Sequence, residues 1–124
     1  MRDGVPEVVT LALESPAGVG YDNHPVARVN DHVVLISTMT EPYPWHCHPD
    51  SDETFLVLEG GLCIEFPIEL EDRTTLQHST VELQPGQMLT VRLGVRHRTR
   101  PMSERSVNLT FERADTATEM LPAV

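Results

Sequence analysis

Trp45-His46-Cys47-His48-Pro49-Asp50-Ser51-Asp52-Glu53-Thr54-Phe55-Leu56-Val57-Leu58-Glu59-Gly60 is the stretch on which the reading of this chain turns. Side chains alternate across a strand, so His46 and His48 share one face and Cys47 takes the other. Pro49, Asp50 and Ser51 are turn residues that fold the chain back and bring Glu53 to the same place from the next strand. Phe55-Leu56-Val57-Leu58 reads as that strand, ending at Gly60. Neutral imidazoles with a carboxylate are usual ligands for a divalent transition metal. The stretch predicts two strands, the turn between them and a metal site.

Outward from it, the pattern stays β. Val33-Val34-Leu35-Ile36 is a buried-strand run, and Leu62-Cys63-Ile64-Glu65-Phe66 follows Gly60-Gly61, a hairpin signal. Pro67 to Thr80 is polar and reads as an extended hairpin or loop. Pro85-Gly86 launches a strand from Met88 to Leu93, Gly94 marks another turn, and Arg96 to Arg100 and Val107 to Phe111 are the last strands. Many short strands at close spacing predict an all-β sandwich or barrel, since only closure or double-sheet packing hides so many edges. Residues 1–25 read as an N-terminal arm packed on the barrel, 26–113 as the barrel and 114–124 as a tail, a short helix or disordered.

At 124 residues the chain has room for one core. A formal net charge of -10 argues against nucleic acid, whose phosphates call for a cationic surface, and against an anionic membrane. All the basic residues are Arg, which excludes mechanisms that need a lysine. Met1-Arg2-Asp3-Gly4 is followed by no apolar stretch of signal length, and no run spans a membrane. Cys47 and Cys63 make no disulfide framework. The expected setting is cytoplasmic, with free thiols.

A further ligand is expected downstream, where Gly86 to His97 ends in a His directly after a turn. Here the chain resembles the cupin superfamily. The first cupin motif, G-x5-H-x-H-x(3,4)-E-x6-G, is matched by His46, His48, Glu53 and Gly60, with Thr40 in place of the opening Gly. The second, G-x5-P-x-G-x2-H-x3-N, is matched by Gly86, Gly94 and His97, with Arg92 for the Pro and Pro101 for the Asn. The resemblance covers roughly residues 26 to 112 and is similar to the small single-domain bacterial cupins of the cupin-2-like conserved-barrel type. It implies a jelly-roll barrel, or double-stranded β-helix, of six to eight strands with a metal at one mouth. It implies His46, His48, Glu53 and His97 as ligands of one divalent metal (Fe, Mn, Ni, Co or Zn), with one or two positions left for water or substrate.

Strand parity puts Phe55 and Val57 beside Glu53 and Thr99 beside His97, a mostly apolar wall fitting a small organic ligand. Arg92, at the expected rim, either reaches a ligand carboxylate or faces out; the outward reading is preferred. Cys47 and Cys63 read as packed small hydrophobes. His24, His32 and His78 lack partner spacing. Arg96, Arg98 and Arg100 alternate on one face and are expected to pair with acids. Trp45, Leu56 and Leu58 face away from the site, and that outer apolar face points to a homodimer.

The leading functional expectation is a metal-dependent enzyme on a small organic molecule, with dioxygenase chemistry first and isomerase or lyase chemistry as alternatives. A non-catalytic sugar- or acid-binding module is the rival. A metal-free epimerase-like cupin would need a His-Asp base and a cavity Tyr, and Tyr21 and Tyr43 lie outside the expected core strands.

Overall fold

The computed structural model describes residues 5–69 and 76–122. A short 3-10 turn, Leu11–Glu14, precedes ten strands: β1 (Tyr21–Val29), β2 (His32–Met39), β3 (Tyr43–Cys47), β4 (Glu53–Glu59), β5 (Leu62–Glu69), β6 (Leu76–Leu83), β7 (Met88–Val91), β8 (His97–Pro101), β9 (Ser106–Arg113) and β10 (Glu119–Met120). They form two antiparallel five-stranded sheets, ordered β1-β2-β9-β4-β7 and β10-β3-β8-β5-β6. From β2 to β5, and again from β6 to β9, successive strands switch sheets, the winding of a jelly roll. The all-β class agrees with the sequence. The strand count exceeds the expected six to eight because β1 and β10 add an edge to each sheet. The tip of the predicted 67–80 hairpin, residues 70–75, lies outside the described residues.

Between the sheets, Met39, Phe55, Val57, Leu62, Ile64, Leu83 and Val91 form one apolar core, with Tyr43, Phe66, Val81 and Leu89 against it. Alternation supplies it: Phe55 and Val57 point in while Leu56 and Leu58 point out. Ile64 is fully buried, and trimming it to Ala should cost roughly 2–5 kcal/mol. Gly60 enters the turn to β5 at φ +82°, and a Cβ there would collide with the carbonyl oxygen of Arg105.

A second apolar cluster lies on the outside of the first sheet. Val34, Ile36, Val107 and Leu109 pack there with Leu11, Val26, Leu56, Leu58 and Phe111. The alternate residues of β9, namely Ser106, Asn108, Thr110 and Glu112, are polar, yet all are buried between the sheets. Polar in and apolar out is the reverse of the usual pattern. Cover from the N-terminal segment, through Leu11, makes it tolerable.

The outer face expected to unite Trp45 with Leu56 and Leu58 does not exist as one surface. Trp45 lies on β3 in the second sheet, whereas Leu56 and Leu58 lie on β4 in the first. Trp45 is covered within the chain by the Arg98 guanidinium, 4.8 Å from its ring centroid, and by His78, 5.0 Å away. Arg98 and Arg100 both hold the buried Glu65 carboxylate, at 2.6 and 2.9 Å. Burial would raise Glu65, but the two guanidiniums outweigh it and keep its carboxyl below the usual range. No helix among the described residues is long and apolar enough to cross a membrane.

Candidate metal centre

Three strand ends supply the site. His46 sits on β3 and His48 just beyond it, Glu53 opens β4, and His97 opens β8 opposite His46. All four are buried, and one ligand atom from each lies within 4.8 Å of the others. The Nε2 atoms of His48 and His97 are each 3.2 Å from Glu53 Oε1. The other ring nitrogens are occupied. His46 Nδ1 donates to the Pro44 carbonyl at 2.8 Å, His48 Nδ1 to that of Ala117 at 3.1 Å, and His97 Nδ1 to that of Val95 at 2.9 Å. A carbonyl only accepts, so each Nδ1 carries a proton and Nε2 is the atom left to meet a metal, once any proton it shares with Glu53 is displaced. That arrangement fixes tautomer and ring direction as metal-ligating histidines require, and the donor set fits a divalent transition metal.

Local sequence explains the convergence. The turn after His48 is bonded to the turn before His97: Gly94 N–H donates to the His48 carbonyl at 2.8 Å, and Leu93 N–H donates to Asp52 at 2.9 Å. Gly94 takes φ +76°, the left-handed conformation that closes this turn. Asp50 accepts from Ala117 N–H at 3.3 Å and from the Thr116 hydroxyl, which ties the C-terminal segment over the same turn. Ser51 accepts from Arg113 N–H at 3.0 Å. Two motifs far apart in sequence are thereby held as one unit.

No protein-family model matches the chain. It is 37% identical over 111 residues to the uncharacterized protein YdbB of Bacillus subtilis (strain 168), covering 90% of this chain and 89% of that one. A cupin-2 domain containing protein from Shewanella frigidimarina superposes with a TM-score of 0.65 at 26% identity, over 83% of this chain and 87% of that chain. The chain belongs to the cupin superfamily. A double-stranded β-helix protein from Klebsiella pneumoniae shares the fold of this cupin, with a TM-score of 0.73 at 14% identity over 97% and 95% of the two chains.

Charges in this cupin's site are strongly coupled. Burial, aided by the neighbouring His97, holds His46 down at about 4. Burial would also depress His48, but the hydrogen bond to Glu53 and its charge outweigh it and hold the imidazole up to about 9. Glu53 in turn would be raised by burial, yet its hydrogen bonds to His48 and His97 keep it near 2. Glu112, with Oε2 3.8 Å from His48 Nδ1, is pushed up to about 7 by burial and by the Glu53 carboxylate.

A cavity of about 60 Å³ opens at this centre. His46, His48, Glu53, Phe55 and Thr99 line it. Val57 and Arg92 do not. Val57 is one step deeper along β4 and fully buried in the apolar core. Arg92 is exposed and bonds Asp52 at 3.2 Å, because β7 has ended and the turn carries the side chain outward. The wall is also more polar than parity from β4 and β8 alone implied, because Asn23, Ser37, Asn108, Thr110, Glu112 and Thr118 join it.

Tyr21 and Tyr43 line the cavity too, against the expectation that both lie outside. For Tyr43 the cause is a β-bulge. The β3–β8 register pairs Tyr43 with Thr99 and His46 with His97, so three steps on β3 match two on β8 and both residues face in. Their rings meet edge-on at 4.8 Å. A Pro44 beside the ligand run was the sequence sign of irregular pairing. Among the other histidines, His24 bonds Asp22 at 2.7 Å and His32 bonds Asp31 at 2.8 Å, away from the site.

Proposed function

We propose that this cupin is a metal-dependent enzyme acting on a small organic molecule, with one divalent transition metal held by His46, His48, Glu53 and His97. The observation that carries the reading is the set of three Nδ1–H bonds to backbone carbonyls, which leaves the three Nε2 atoms to converge with the Glu53 carboxylate at the wall of a cavity. A bound metal would supply Lewis-acid polarisation of a carbonyl or a site for dioxygen. Proteins of this fold include an oxalate oxidase and the DMSP lyase DddQ, so fold alone does not choose the chemistry.

Dioxygenase activity is the first subclass. A specific observation favours proton-transfer chemistry, as in an isomerase or lyase. Glu112, Tyr21 and Tyr43 place a carboxyl and two phenols in the same cavity as the candidate ligands. A carboxyl pushed up to about 7 can hold or release a proton near neutral pH. Metal analysis of untagged protein, O2 uptake on a panel of small molecules, and proton exchange from the same panel by NMR test the reading. Absence of bound metal would overturn it; O2 consumption or exchange without O2 would separate the two subclasses.

Free, buried Cys47 and Cys63 support the cytoplasmic setting. Exposed Val8, Leu13 and Val19 on the N-terminal segment support a homodimer. A monomer mass by light scattering at micromolar concentration would contradict it.

A further inference from the structure

We infer that the cleft adjoining this cavity is a second part of the ligand site, in which Arg28 holds an anionic group, a carboxylate or a phosphate ester, while the far end of the same molecule reaches the candidate metal centre. The inference deepens the proposed function and rests on the same cavity being the substrate site.

Continuity and size are the first ground. Asn23, Glu112 and Thr118 line both spaces, so they share a wall. The cleft measures about 290 Å³ and the cavity about 60 Å³. Most of any molecule that reaches the metal therefore lies in the cleft. Pro25, Val33 and Leu35 give the cleft an apolar strip, which suits a short carbon stem.

The aim of Arg28 is the second ground. Asn23 and Pro25 face the two spaces from β1, and simple alternation from them would send residue 28 to the outer face. A bulge between Pro25 and Ala27 reverses this. Val26 packs in the outer cluster, and Ala27 pairs with Val34 of that cluster, so two successive residues face out. Arg28 then pairs with Val33, and Val33 with Glu112, which places all three in one row on the inner face. Bulges re-aim side chains in this way beside binding sites.

Charge is the third ground. Of the two arginines that line the cleft, Arg113 pairs with Asp115 at 3.3 Å. Arg28 makes no side-chain hydrogen bond or ion pair among the described residues, in a chain of formal net charge -10. Its guanidinium is left to take an acid from outside the chain. The acid on the shared wall, Glu112, has Oε2 3.8 Å from His48 Nδ1. A divalent ion on the neighbouring ligands, or a proton on His48, adds positive charge and does not oppose an anion in the cleft.

The test is a titration of metal-free protein, read by amide NMR shifts, with two pairs of probes. Levulinate and levulinamide share a ketone end and differ in the anion; glycerol 3-phosphate and glycerol are the phosphate arm. At least one anion should bind about tenfold more tightly than its neutral partner, and the arm with the larger preference names the head group. In Arg28→Met, or in Arg28→Gln if that variant does not fold, the preference should disappear. The metal ligands and Glu112 are the same in parent and variant, so the comparison isolates the guanidinium. In Mn2+-loaded protein the levulinate methyl protons should relax faster than the methylene protons beside the carboxylate. No preference for either anion in the parent would overturn the inference. So would a preference that survives loss of Arg28, or the reverse relaxation order, which would put the carboxylate on the metal. Those results leave metal binding standing. Failure of Mn2+ to bind would sink the metal-centre reading instead, and the metal-free titration would still decide this one.

Discussion

His48 Nδ1 donates its hydrogen to the carbonyl oxygen of Ala117 at 3.1 Å, across 69 residues of sequence. A candidate metal ligand is thus oriented by the C-terminal segment. Asp50 holds that segment in place through Ala117 N–H and the Thr116 hydroxyl, and β10 pairs with β3 just beyond.

Removal of residues 114–124 should leave the two sheets folded, since β10 is a two-residue edge strand. It should weaken metal binding about 10- to 100-fold, the usual effect of losing a partner that orients a ligating histidine. Competition against a chromophoric chelator measures this. Unchanged affinity would show that Ala117 does not position His48.

His48→Ala should lose most of the metal that the parent protein carries, because one member of the chelating set is gone. Metal content by elemental analysis, beside an unchanged circular dichroism spectrum, is the check. Equal content in variant and parent would contradict the assignment.

Metal affinity should climb with pH through neutrality. In the metal-free protein Glu53 keeps His48 protonated up to about 9, so binding must displace that proton. His46, held near 4, is already neutral there, and Glu53, near 2, is already ionised. One proton released per ion means about tenfold tighter binding per pH unit, flattening above about pH 9. Titrations at pH 7, 8 and 9 decide it. A flat profile would mean that His48 is not the proton-bearing ligand.

Glu112→Gln should remove one pH-dependent contribution from the metal-free protein's stability profile. The folded-state pKa of Glu112, about 7, lies above its ordinary value of 4.5. The folded state therefore binds this proton more tightly, and the associated stability is present below pH 4.5 and lost as pH rises through 7. The loss is on the order of 2 kcal/mol. The Glu53 contribution runs the other way and is lost only as pH falls from 4.5 toward 2. His46, held near 4, and His48, held near 9, add slopes of their own in this window to parent and variant alike, so in urea melts between pH 4.5 and 7.5 it is the stability of the parent minus that of the variant that should fall as pH rises.

Arg92→Ala should change neither metal content nor ligand binding. The side chain is largely exposed and its bond to Asp52 is a surface pair. Stability should move by no more than about 1 kcal/mol. A drop in affinity for an acidic ligand would place Arg92 in the site after all.

The sequence by itself determined the β class, the turns and the candidate set His46, His48 and Glu53, each by local rules: alternation along a strand, and turn residues at Pro49 to Ser51; His97 joined the set through the resemblance to the second cupin motif. Only the tertiary structure decided what surrounds the quartet. The β3 bulge brought Tyr43 inward, where simple alternation from His46 would have sent it out with Trp45. On β9 the polar set Asn108, Thr110 and Glu112 faces in, because the site end of the sandwich holds a cavity and the apolar alternates find cover outside. Period two marks the two faces of a strand but not which face is the interior. Ala117 reaches His48 only through the folded path of the tail. Register and long-range pairing set all three, and both depend on what the rest of the chain packs against.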